Sequence, residues 1–168
     1  MRIKLLAVLA AAATGVSLAV LSPASALTKP QVFSLLDVSG PDTNLGPGTG
    51  FDQNGPPTLG NRFAFTDGLY KWAGRKRGAR VGRIEGLCTV TKLDIATRSA
   101  TVFCNATFYL PAGQLVGAAT IRFADNSGPV FRVPILGGTG AYTGARGVVK
   151  ITNLNDGNNS NAEFHLLP

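Results

Sequence analysis

From Thr101 to Leu110 the chain alternates without a break. Val102, Cys104, Ala106, Phe108 and Leu110 fall on one side, and Thr101, Phe103, Asn105, Thr107 and Tyr109 on the other. A period of two is what a β-strand with one buried face requires, because successive side chains leave a strand in opposite directions. Pro111-Ala112-Gly113 then turns the chain into a second run, Gln114–Phe123. Similar runs occur at Val32–Val38, Arg62–Thr66, Ile84–Lys92, Val130–Leu136, Arg146–Leu154 and Ala162–Leu167, with Gly, Pro, Asn and Asp clustered between them, which predicts eight strands and no helix. The 21 glycines and 10 prolines among 168 residues agree with many turns and few long helices.

Strands that no helix covers must hide their edges. Closure into an all-β, eight-stranded antiparallel barrel does so completely. A barrel of that size, lipocalin-like in scale, has an interior that side chains can fill or that can hold one small ligand. A two-sheet sandwich is the competing architecture. With 45% hydrophobic and only 15% charged residues, the composition suits a folded domain and argues against disorder.

The first segment reads as an address. Arg2 and Lys4 precede an apolar run from Leu5 to Leu21, Pro23 breaks it, and Ala24-Ser25-Ala26 offers a small-x-small cleavage site. The expectation is a secretory signal peptide over 1–26 and a single barrel domain over 27–168, secreted to the cell exterior and without stable membrane insertion once the signal is cut. An uncleaved anchor is the alternative, since the apolar run approaches the ~20 residues that a membrane-spanning helix needs. Removal of Arg2 and Lys4 takes the net charge from +7 to +5.

Export bears on the two cysteines. A hairpin centred near residue 96 places Cys88 opposite Cys104 on the apolar face of adjacent strands. An oxidising compartment lets the two pair; two reduced thiols facing a pocket are the alternative.

Two connections stand out. Gly40–Gly60 has no periodicity and is rich in Gly and Pro, as lids, binding loops and disordered segments are. Lys71–Arg83 carries Lys71, Arg75, Lys76, Arg77, Arg80 and Arg83 beside Tyr70 and Trp72. A basic run with aromatics can bind phosphates and stack bases. In an exported chain, however, it reads as a solvated loop suited to anionic surfaces, with no nucleic acid as partner.

Several chemistries are excluded. A single histidine and two cysteines cannot build a multi-His or Cys₄ metal site, so no metal is expected. His165 lies two residues from Glu163 inside a strand, and no Gly-x-Ser-x-Gly elbow accompanies it, so a serine hydrolase is not indicated. Gly137-Gly138-Thr139-Gly140-Ala141-Tyr142-Thr143-Gly144 mimics a dinucleotide loop, but a strand rather than a helix follows it. The glycines are better read as a sharp turn with positive φ angles. Asp37 interrupts an apolar strand between Leu36 and Val38. It faces either water or the lumen, and in the lumen desolvation would raise its pKa.

The residues from Val133 through Gly147, Val-Pro-Ile-Leu-Gly-Gly-Thr-Gly-Ala-Tyr-Thr-Gly-Ala-Arg-Gly, resemble the dirigent pattern of an apolar strand, Gly-Gly-Thr-Gly, an aromatic and Ala-Arg-Gly. Leu59-Gly60, then Phe65-Thr66-Asp67-Gly68-Leu69-Tyr70, then Gly86-Leu87-Cys88 is similar to the order found in allene oxide cyclases. The chain thus resembles the allene oxide cyclase and dirigent superfamily over most of its length after the signal.

That resemblance implies a trimeric barrel without a cofactor. The cyclases close an unsaturated fatty-acid epoxide, and dirigent proteins orient phenoxy radicals or quinone methides. Both restrict conformers in a dry pocket and stabilise developing charge with a few polar groups. By position, Asp37 matches the pocket acid, where cyclases have Glu. Ser39 and Asp67 fall where cyclases place Asn, Cys88 matches a pocket cysteine, and Arg146 matches the dirigent Arg. The function expected is a barrel that binds a small, mostly apolar unsaturated or aromatic molecule and steers its cyclisation or stereoselective coupling. Asp37 and Arg146 are the candidate catalytic groups, and Ser39, Asp67 and Cys88 line the site. A lipocalin-like carrier or surface-binding module that performs no chemistry is the alternative.

Overall fold

The computed structural model describes residues 26–46, 58–73, 76–97, 99–124, 130–154 and 158–168. The expected signal peptide therefore lies outside the described residues except for Ala26, as do residues 47–57 of the Gly-rich connection. The strands are β1 (Gln31–Val38), β2 (Asp42–Asn44), β3 (Arg62–Ala73), β4 (Lys76–Asp94), β5 (Ser99–Leu110), β6 (Gly113–Ala124), β7 (Val130–Gly138), β8 (Arg146–Asn153) and β9 (Asn159–Leu167). All pairings are antiparallel, in the order β1-β9-β8-β7-β6-β5-β4-β3-β2. A further pairing of β1 with β3, Leu36 opposite Tyr70 and Val38 opposite Gly68, closes the ring. The short β2 lies along the same edge of β3 as β1, farther toward its start, so the closed barrel has eight staves. Closure excludes the sandwich.

Alternation decides which residues fill the interior. Val102, Cys104 and Phe108 of β5 are buried, and Phe103 and Asn105 between them are exposed. On β9 the buried residues are Ala162, Phe164 and Leu166. Phe164 stacks on Phe33 with centroids 4.7 Å apart and meets Phe108 edge-on at 5.3 Å. These rings pack with Leu27, Leu69, Leu115, Tyr142, Ala145 and Leu166 and fill one end of the barrel. Each fully buried Leu or Phe contributes roughly 1.5–3 kcal/mol, so this plug holds the ring shut.

The glycine-rich motif forms the turn at that closed end. Gly140 and Gly144 have φ of 62° and 78°, and a single 3-10 turn covers Gly140–Tyr142. Two other segments differ from the expected pattern. Lys71–Arg83 is not a loop: β3 and β4 run past the barrel as a paired hairpin, with Tyr70 opposite Arg80 and Trp72 opposite Arg77. Aromatic and long basic side chains can cover each other across an exposed ladder, and Arg77 lies 5.1 Å from the centre of the Tyr70 ring. Arg75 lies outside the described residues. Within Gly40–Gly60, residues 42–44 form β2, against an expectation of no regular structure.

Candidate functional site

The end of the barrel opposite the plug is hollow. A cavity of about 140 Å³ lies among Asp37, Phe63, Phe65, Asp67, Ile84, Cys88, Cys104, Phe108, Ile121, Phe131 and Ile151, with Ala106, Ala119, Phe123 and Val133 completing the wall. Phe63 and Phe131 are the second residues of β3 and β7, and Phe123 is the last but one of β6, so the cavity sits at the strand ends. Phe123 is 37% exposed, which marks where the wall reaches solvent.

Asp37 comes from the last inward position of β1. Only 8% of it is exposed, and its buried Oδ1 has no hydrogen-bond partner among the described residues. Burial, with a smaller contribution from the Asp67 charge, raises its pKa to about 7. Asp67 lies diagonally across the β1–β3 ladder, inward like Phe65 and Leu69. Its Oδ1 accepts a hydrogen bond of 2.9 Å from the Gly40 N–H just beyond β1. Burial pushes the Asp67 pKa up, and the Gly40 hydrogen bond opposes that rise.

Cys88 and Cys104 are direct cross-strand partners joined by a disulfide, and both sulfur-bearing residues line the cavity. A bridge in the wall leaves no thiol there. The remaining wall is aromatic or aliphatic, and none of the described lining side chains carries an N–H or O–H donor when both aspartates are ionised.

Not every expected site residue meets here. Ser39 is exposed just past β1, donates its backbone N–H to the Asn158 carbonyl at 2.9 Å, and is not part of the wall. Arg146 is exposed at the first position of β8, opposite Leu167, at the plugged end. Val149 and Ile151 set the inward parity of β8, so Arg146 faces out. Ile151, the β8 residue in the cavity wall, lies roughly 17 Å farther along the strand at ~3.3 Å per residue. Arg146 and Asp37 are therefore not brought together. The residues that sequence reasoning passed over are the aromatic walls, Phe63, Phe65, Phe123 and Phe131. Their inward parity within alternating runs was the available signal.

No group of three or more metal-ligating side chains forms among the described residues. None of the described helices is long and apolar enough to cross a membrane.

The family model of the allene oxide cyclase barrel-like domain matches residues 49–166. The chain belongs to the allene oxide cyclase barrel-like family. Among solved structures, this allene oxide cyclase barrel-like protein is similar to a pyocyanin demethylase, at 21% identity and TM-score 0.60 over 82% of this chain and 100% of that one. It is also similar to an exo-specific intermolecular Diels-Alderase, at 15% identity and TM-score 0.62 over 82% and 97% of the two chains. A pterocarpan synthase dirigent protein matches at 19% identity and TM-score 0.60 over 83% and 94%. At such identities the likeness is one of fold. No curated protein matches the sequence. The barrel fold is thus shared with cyclases and dirigent proteins.

Proposed function

We propose that the protein is a secreted barrel whose cavity binds a small, mostly apolar unsaturated or aromatic molecule and steers its cyclisation or stereoselective coupling. The observation that carries this reading is the buried Asp37 Oδ1, which has no hydrogen-bond partner among the described residues, in a cavity whose described wall is apolar apart from Asp67. Aromatic walls restrict the conformers of a flexible ligand, which removes much of the entropic barrier to ring closure or coupling. Asp37, with its pKa near 7, can exchange a proton with the ligand or stand against charge that develops on it at neutral pH. Reactions of this class need shape and one proton-exchanging group. Neither calls for a cofactor. Arg146, outside the cavity, has no part in this reading.

Product chirality tests it. Purified protein is incubated with a panel of polyene epoxides and enzymatically generated phenoxy radicals, and products are resolved by chiral chromatography. The expected result is an excess of one stereoisomer that Asp37→Asn diminishes. A product distribution identical with and without protein across the panel overturns the proposal.

The second reading, a carrier that adheres to anionic surfaces, is favoured by the projecting hairpin. Lys71, Lys76, Arg77, Arg80 and Arg83 line it, and no acidic residue occurs between Asp67 and Glu85. A ligand that co-purifies in native mass spectrometry and leaves unaltered would support a carrier.

A further inference from the structure

Among the described lining side chains, the cavity offers a ligand two carboxyl groups, hydrocarbon and a disulfide. We infer that the ligand is a compact ring-bearing base, an amine or protonated nitrogen heterocycle, whose N–H donates to Asp37. This rests on the reading that the cavity binds a small molecule and adds the chemical class.

Three observations carry it. The Asp37 Oδ1 is buried with no partner among the described residues, so an acceptor stands unused in the wall. Such an atom costs free energy until a donor reaches it. The described lining residues hold no cationic side chain and no hydroxyl, amide or indole group, so none of them supplies the donor, and the N–H of a guest can. Asp67 is the other titratable group in the wall, and it adds negative charge to the same side. On β9, beside β1, Glu163 and His165 lie on the outer face, 2.7 Å from each other, and Lys150 of β8 stands 3.8 Å from Glu163 on that face. None of these can neutralise Asp37 from within.

Desolvating an isolated ammonium group is costly. Here the fold has already buried its counter-ion, so a cationic guest completes a pair and leaves no second unpaired charge. Size limits the rest of the molecule. The cavity of about 140 Å³ is close to the ~150 Å³ apolar cavity known to admit benzene, so one ring with a short amine-bearing arm fits.

The test uses three probes of nearly equal shape: benzylamine, ethylbenzene and acetophenone. Binding to the folded protein is followed by isothermal titration calorimetry and by NMR shifts of the cavity methyl groups, at about pH 8 and about pH 5.5. The expected result at the higher pH is benzylamine binding about tenfold more tightly than ethylbenzene. That preference falls away at the lower pH, where Asp37 is protonated, and is absent in Asp37→Asn at both. The same variant still binds ethylbenzene, which confirms its fold and cavity. Ethylbenzene or acetophenone binding as tightly as benzylamine at the higher pH overturns the inference and leaves the cavity reading in place. Absence of binding by all three overturns the cavity reading and, with it, the inference.

Discussion

Asp67, on β3, raises the pKa of Asp37 across the ladder that closes the barrel, in addition to the larger rise caused by burial. The seam of the ring and the polar corner of the cavity are thus the same place. Loss of the Asp67 charge there would lower the Asp37 pKa.

Stability should therefore depend on pH through Asp37. In the unfolded chain this carboxyl ionises near 3.8; in the fold it does so at about 7. The folded state binds the extra proton between those values, so stability falls as pH rises from about 4 to 7 and levels off above. The Asp37 contribution amounts to roughly 4 kcal/mol at 1.36 kcal/mol per pKa unit. Asp37→Asn removes it. Chemical denaturation should find the variant more stable than the parent at about pH 8 and nearly equal to it at about pH 4.

The disulfide spans a sequence separation of 16 between adjacent strands. Closing a loop of that size stabilises a fold by about 3 kcal/mol in the chain-entropy model. The double substitution Cys88→Ala and Cys104→Ala should lower the denaturant midpoint correspondingly. It should also enlarge the cavity, because both residues form part of its wall.

Ala119 is 8% exposed on β6 and faces the cavity. Ala119→Leu places three more carbons in the empty volume. Ethylbenzene affinity should fall at least about tenfold while the thermal midpoint holds or rises, because the added methyls occupy a void instead of an occupied core. Titration calorimetry and a thermal melt on the same sample check both halves.

Gly40 passes close to β3. A Cβ there would stand 1.9 Å from the Thr66 carbonyl oxygen, a backbone atom that cannot swing away. Gly40→Ala must push the loop outward and break the hydrogen bond to Asp67. A loss of about 2 kcal/mol in stability is expected, along with a further upward shift of the Asp67 pKa, which NMR titration of its carboxyl carbon would detect.

Much of this architecture was legible in the residues. The alternation of Thr101–Leu110 identified the inward face of β5, and the turn near residue 96 placed Cys88 opposite Cys104 as found. The acid at position 37 was visible as a charge interrupting an apolar strand, though its direction was not, because either face of β1 could have been inward at its end. The hairpin from Lys71 to Arg83 reads as a loop in sequence because its charges obscure the period of two and the β3–β4 register shifts near Leu69 and Tyr70 break the count. Arg146 was placed by a motif whose position in sequence says nothing about which end of the barrel its turn occupies. The depth of the hollow could not be read at all, since it depends on how far the rings of Phe33, Phe108 and Phe164 reach across the plug.

That plug has a consequence for how such a barrel can diversify. The side chains that secure the ring and those that line the cavity follow one another along the same staves, with Phe108 at the boundary between them. Exchanges among Phe63, Ala119, Phe123 and Phe131 can retune selectivity level by level while the anchoring rings below remain untouched. The cavity can therefore change shape at the mouth without renegotiating the foundation.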